Sequence, residues 1–198
     1  MRCRTARTGV SRYVNNPAGD YGDLDETRIF LALEDHQVEY VLVGGSAAIL
    51  WGAERATRDV DCVARQTTEN YRRLCDALKQ MGNPRLRIQG VDDELAAELS
   101  SELLHEDFFA RTEASTWRTD SGSIDVLSEI PGVDGRPVHY QDLRVRATLA
   151  PITELRIPVA SLDDIIASKK SSNRPKDREA LPELDRLRQR LQGRDGDR

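Results

Sequence analysis

Cysteine is scarce in this chain. The three present, Cys3, Cys62 and Cys75, form an odd set at irregular spacing. That argues against a disulfide framework and against a cysteine-ligated metal, and free thiols in a reducing compartment are expected. Histidine does not fill the gap: His36, His105 and His139 lie far apart and lack ligand spacing. No Ser-His-Asp arrangement can be assembled from them either. No apolar run approaches the roughly 20 residues a membrane helix needs. The arginine-rich start (Arg2, Arg4, Arg7, Arg12) is not followed by an apolar stretch, so a secretory signal is not expected. A cytoplasmic protein without a membrane partner is the expectation. A positive charge balance is also missing. With 29 Lys+Arg against 34 Asp+Glu, the formal net charge is −5. Nucleic acid could then be met only through a local basic patch.

What the chain does have is enough length for a core. Its 198 residues, 38% hydrophobic and 32% charged, suit one α/β domain, with room for a small helical appendage. Residues 1–22 lack apolar periodicity and read as an irregular extension. From Leu24 an apolar stripe (Leu24, Ile29, Phe30, Leu31, Leu33) predicts a helix up to His36. Val38 to Val43 is a β-rich run that stops at Gly44-Gly45, and Ser46 to Trp51 reads as a short apolar helix closed by Gly52. Arg58 to Ala64 reads as a strand. Thr67 to Met81 reads as an amphipathic helix with Thr67 as N-cap. Residues 92–104 form a further, acidic helix. Trp117–Thr119 and Ile124–Leu127 read as strands turned at Asp120-Ser121-Gly122. Arg144–Leu149 and Leu155–Val159 are weaker strand candidates, and the chain is helical from Ser161, interrupted at Asn173-Arg174-Pro175.

Four features carry chemistry. The first is Val43-Gly44-Gly45-Ser46, between a strand and a helix. Glycines let backbone approach a ligand closely, and the free N–H groups of a helix start favour phosphate. Ser46 can add a hydroxyl donor or cap the helix. The second is Asp59-Val60-Asp61. Residues two apart in a strand face one side, so the two acids point together while Val60 and Cys62 point into the core. Such like charges repel. Binding a divalent cation would offset that; two solvated acids on an exposed edge strand are the alternative. The third is Asp125, a lone acid in the apolar strand Ser123–Leu127, which is either a third site carboxylate or a surface acid. Two metals held by three such acids could clamp both oxygens of a phosphoryl transfer. The fourth is the helix from Ser161, an N-cap with Asp164 at the capping-box position. Leu162, Ile165 and Ile166 define its buried stripe, and Lys169 shares that stripe. An inward lysine needs an anion or a route to the rim. The charged turn Asn173-Arg174-Pro175-Lys176-Asp177 follows. There Arg174 can meet a phosphate, or Asp177 can hold Lys169 or Arg174.

In order, these features resemble the polymerase-β-like nucleotidyltransferase superfamily. The most specific stretch runs from Gly44-Gly45-Ser46-Ala47-Ala48 to Arg55-Ala56-Thr57-Arg58-Asp59-Val60-Asp61. Lys169 and Arg174-Pro175-Lys176-Asp177 resemble the last motifs of the AbiEii/MenT-type toxins of bacterial toxin–antitoxin pairs. The resemblance spans residues 38–185. It implies an α+β nucleotidyltransferase fold: a small mixed or antiparallel sheet flanked by helices, with residues 23–160 as the core and residues 161–198 as helices completing the site. It also implies a nucleotide site of Gly44, Gly45, Ser46, Thr57, Arg58, Lys169, Arg174 and Asp177. Asp59, Asp61 and Asp125 would hold one or two Mg2+ ions, with Asp125 deprotonating the attacking hydroxyl. The span between Lys169 and Asp177 is shorter than in many AbiEii-type chains.

The implied reaction moves a nucleoside monophosphate from an NTP onto an acceptor, foremost the 3′ end of tRNA, with a cognate antitoxin protein as partner. The basic residues that cluster from Arg136 to Arg178 suit an RNA acceptor, and the acidic residues 92–107 suit a basic partner. Two other readings stand beside it. One keeps the chemistry and changes the acceptor to a small molecule or a partner protein (AMPylation). The other is a non-catalytic antitoxin or binding module with the same fold.

Overall fold

The computed structural model describes residues 23–88 and 90–195. The expected extension over residues 1–22, and Cys3 within it, lie outside the described residues. Asp25 caps α1 (Glu26–Asp35) by accepting the Arg28 N–H at 3.0 Å, and the helix buries Ile29, Phe30 and Leu33. β1 (Tyr40–Val43) is buried throughout and runs straight into α2 (Gly44–Trp51). After β2 (Asp59–Ala64), Thr67 caps α3 (Thr68–Gln80), which turns Tyr71, Leu74, Cys75 and Leu78 inward. β3 (Arg85–Leu86), α4 (Asp93–Leu103), α5 (Glu106–Arg111), β4 (Ala114–Thr119) and β5 (Gly122–Leu127) follow. Next come the two-stranded ribbon β6 (Glu129–Pro131) and β7 (Pro137–His139), α6 (Tyr140–Arg146), and the hairpin β8 (Thr148–Ile152) and β9 (Leu155–Val159). α7 (Leu162–Ser172) and α8 (Pro175–Asp195) complete the described chain.

The architecture is mixed α+β, a central sheet flanked by helices, but the sheet is larger than the small one expected. It has seven strands in the order β3-β4-β5-β2-β1-β9-β8. β1 is antiparallel to β2 and parallel to β9, while β2 is parallel to β5. One face carries Val60, Cys62, Trp117, Ile124 and Val126, all buried. Trp117 meets Phe108 edge-on with ring centres 5.9 Å apart, and Phe109 stacks on Tyr71 at 5.8 Å. The buried Asn70 side chain ties α3 to the sheet, accepting from Glu39 N–H at 2.7 Å and donating to the Glu39 and Arg65 carbonyls. Cys62 and Cys75 are buried free thiols. Among the described residues no helix is long and apolar enough to cross a membrane.

Two local readings need correction. Arg144–Leu149 is not a strand: Tyr140 and Leu143, three apart, are buried together and make residues 140–146 helical, with β8 starting only at Thr148. The strand read at Trp117 begins three residues earlier, at Ala114. The short helix α5 was not anticipated, because six residues carry too little periodicity to read. α7 and α8 are packed into the same core, through Ile165, Ile166, Ala180, Leu184 and Leu187.

Candidate active site

The open face of β2 and β5 is where the acids gather. Parallel pairing puts Asp61 opposite Asp125 and Asp59 opposite Ser123. Register partners point to the same side, so the three carboxylates share one face. The other side is sealed by apolar residues, and the acids therefore cannot turn away from one another into the core.

α2 closes this face at one end. Gly44 stands at φ +66°, in the left-handed region, and a Cβ there would sit 2.0 Å from Asp61 Oδ2. At Gly45 a Cβ would meet Thr57 Oγ1 at 2.6 Å. The two glycines thus form the first turn of the helix and press its N-terminus against the acids. The Gly45 N–H points to Asp61 Oδ2 at 3.4 Å. Gly44→Ala is expected to destabilise the fold by about 2 kcal/mol, since it combines strain and overlap. Chemical denaturation would measure it, and it should lower transfer activity as well by pushing Asp61 aside. An unchanged midpoint would refute the assignment.

Ser46 is buried, and its hydroxyl donates to Glu26 and reaches the Asp59 carbonyl at 3.2 Å. It does not cap α2, whose N-cap is Val43, and in this arrangement it braces the helix against α1 and β2. Thr57 Oγ1 lies 3.1 Å from Asp59 Oδ1 and 3.2 Å from the Asp59 carbonyl, orienting that acid. Arg58 is exposed beside them.

Charge crowding shows in the acids. Burial first, then Asp59 and Asp125, push the Asp61 carboxyl up to about 7, against a lowering pull from the Gly45 N–H and Lys176. Asp125 is raised by burial and by Asp59, opposed by its bond from Thr116 and by Lys176 and Arg87. Asp125 Oδ1 is buried without a hydrogen-bond partner. A cation would relieve both conditions. Among the described residues no three acidic, histidine or cysteine side chains form a ready cage for an ion.

On the basic side the structure takes one of the two alternatives the sequence left open, Asp177 holding the cations. Lys169 does not stand alone: its Nζ lies 3.4 Å from Asp177 Oδ1, and Arg174 Nε lies 2.6 Å from Asp177 Oδ2. Burial works against ionising Asp177, but these two cations outweigh it and hold its carboxyl below the usual range. Arg174 feels Asp61 and Asp59, while Lys176 acts on Asp61 and Asp125. The turn that opens α8 therefore brings the charges of Arg174 and Lys176 within electrostatic reach of the acids. Lys176 was seen in the sequence only as part of a charged turn; Arg174-Pro175-Lys176 opening a helix was the available signal.

Comparison with known proteins bears on the fold and the family. No curated protein matches the chain. Among solved structures, the lincosamide antibiotic adenylyltransferase LnuA, with lincomycin bound, is similar at 14% identity. The alignment covers 84% of this chain and 99% of that one, with a TM-score of 0.54. ANT(2″)-Ia in complex with adenylyl-2″-tobramycin is similar at 15% identity over 85% of this chain and 95% of that one, with a TM-score of 0.48. At such identities the likeness to LnuA speaks for the fold. Residues 22–191 match the family described as a nucleotidyltransferase of unknown function (DUF6036). That match spans most of the chain, and the chain belongs to this family of nucleotidyltransferase enzymes.

Proposed function

We propose that this enzyme transfers a nucleoside monophosphate from an NTP to an acceptor hydroxyl, using magnesium bound at Asp59 and Asp61. The observation that carries the proposal is the in-register pair Asp61–Asp125 lying against the glycine-opened start of α2. Magnesium supplies charge neutralisation for the triphosphate and the developing pyrophosphate. The free N–H groups at the glycine-opened start of α2 would cradle the triphosphate, with Ser46 bracing that turn from behind. Arg174 and Lys176 offer cations to its phosphates, and Lys169 with Asp177 positions Arg174. Asp125, with its unpartnered buried oxygen, takes the proton of the attacking hydroxyl. The acceptor's hydroxyl oxygen then bonds to the α-phosphorus as the bond from the α-phosphorus to pyrophosphate breaks.

For the acceptor, the order of motifs from Gly44 to Asp177 supports the 3′ end of tRNA, with the enzyme serving as the toxin of a toxin–antitoxin pair. Such a modification would block aminoacylation. A second acceptor class, a small molecule, is favoured by a cavity of about 360 Å3 that Asp125 and Thr116 line. The test incubates the purified chain with magnesium, each labelled ribonucleoside triphosphate in turn, and total RNA. Label should move to tRNA and be lost in Asp59→Ala. If tRNA stays unlabelled and expression leaves growth unaffected, the toxin reading fails. Transfer that survives Asp59→Ala would remove the catalytic assignment altogether.

A further inference from the structure

Beyond Asp125 the open face of the sheet changes sign. One row of register partners runs Asp59, Ser123, Arg118, Arg85 across β2, β5, β4 and β3. The next runs Asp61, Asp125, Thr116, and the Arg87 N–H extends it by donating to the Thr116 carbonyl at 2.8 Å. The face is thus acidic over β2 and β5 and basic over β4 and β3. The cavity of about 360 Å3 sits at this boundary. Asp125 and Arg87 are its charged lining groups, and Leu86, Ile88, Phe108 and Leu127 give it an apolar body. Its volume is at the small end for ligand pockets, the size of a single nucleotide or sugar phosphate.

Arginines on an edge strand often serve only to keep the edge solvated, and Arg85 fits that role. Arg87 differs. It lines the cavity, its charge reaches Asp125, and among the described residues it has no carboxylate at ion-pair distance.

We propose that this cavity is the acceptor pocket and that the acceptor is a phosphate-bearing hydroxyl compound, its phosphate held by Arg87 and its hydroxyl facing Asp125. The inference rests on the nucleotidyl-transfer reading above and narrows its acceptor. A guanidinium binds phosphate through paired N–H donors, and the apolar lining takes a base or sugar ring. A polycationic acceptor is disfavoured, because Arg87 would repel it where it must dock. The phosphate could belong to an RNA 3′ end or to a free nucleotide or sugar phosphate.

The test uses the full chain and has two arms. In the first, RNA, nucleoside 5′-monophosphates and an aminoglycoside compete as acceptors with magnesium and labelled NTP. Phosphate-bearing acceptors should be labelled and the aminoglycoside left unlabelled, and the labelled species separates the RNA source from the small-molecule one. Arg87→Gln should raise the acceptor KM about tenfold or more with the NTP KM unchanged, and Arg87→Lys should recover part of that loss. In the second arm, AMP and glucose 6-phosphate are titrated while a non-hydrolysable NTP analogue and magnesium saturate the nucleotide site. Binding should weaken about tenfold in Arg87→Gln. Equal binding by wild type and Arg87→Gln, or preferential labelling of the aminoglycoside, overturns the proposal. Arg87-dependent phosphate binding without transfer to any acceptor upholds the pocket and removes the nucleotidyl-transfer reading. Transfer whose acceptor KM ignores Arg87 does the reverse.

Discussion

Asp61→Asn is expected to abolish nucleotidyl transfer while making the metal-free protein more stable. The loss should be on the order of 10³-fold in kcat, since on the proposed reading Asp61 would hold the magnesium, whose charge stabilisation is worth several kcal/mol. The gain has a different origin. Asp61 is held near Asp59 and Asp125 in a buried position, and its carboxyl rises from 3.8 to about 7. A carboxyl that binds its proton more tightly when folded favours folding at low pH. That contribution is complete below about 4 and is lost as pH rises toward 7. A shift of this size corresponds to about 4 kcal/mol between the two limits. Asparagine carries no charge and keeps the volume, so it escapes the penalty. In chelator-containing buffer, wild-type stability should fall between pH 4 and 8 more steeply than that of Asp61→Asn, with the curves furthest apart at the alkaline end. Magnesium should raise the wild-type melting temperature at pH 8 and leave the variant's nearly unchanged. Parallel curves in chelator would show that Asp61 carries no such strain, and a magnesium response retained by the variant would place the ion elsewhere.

Asp177→Ala should give the largest loss of stability, about 3 kcal/mol. The Asp177 side chain is fully buried, and its two oxygens meet Arg174 and Lys169. Removing one partner of a buried ion pair costs about 3–5 kcal/mol, because the remaining charge is left uncompensated. The lower end applies here, since Arg174 keeps 58% of its side-chain surface in water. The remaining cost falls on Lys169, whose side chain is only 16% exposed. A drop in melting temperature of roughly 6–12 °C is the corresponding readout. The Asp177 carboxyl is held below its usual range, so this stabilisation exists above the ordinary carboxylate pKa and disappears as pH falls through the lowered value. The deficit of the variant should therefore shrink in acid. Asp177→Asn retains part of the bonding and should lose less. Release of the α8 turn should also raise the NTP KM, because Arg174 and Lys176 would no longer be aimed at the site. A variant that melts with the wild type would show that Lys169 and Arg174 do not depend on Asp177.

Much of this site could be read residue by residue where the signal was local. Period two in Asp59-Val60-Asp61 and in Ile124-Asp125-Val126 told which side chains share a face. Thr67 and Ser161 marked helix starts because their hydroxyls accept a specific N–H of the first turn. Local signals failed where packing chose between close alternatives. Arg144–Leu149 has strand-forming residues, yet burying Tyr140 with Leu143 made its first half a helix. Lys169 shares the inward stripe of α7 as expected, but whether it met a phosphate or Asp177 depended on the turn after it.

By itself, then, the sequence determined the chemistry available: acids paired on a strand face, glycines where a helix must approach them, and a cationic turn behind a capped helix. Each of those follows from backbone period, Cβ sterics or capping within a few residues. The tertiary structure alone decided which groups meet. Asp61 and Asp125 stand in register only because β2 and β5 pair in parallel across residues 65–121, and register is set by burying the opposite apolar face, not by any local motif. Arg87 likewise reaches the boundary with Asp125 only because the short β3 pairs beside β4 at the sheet edge.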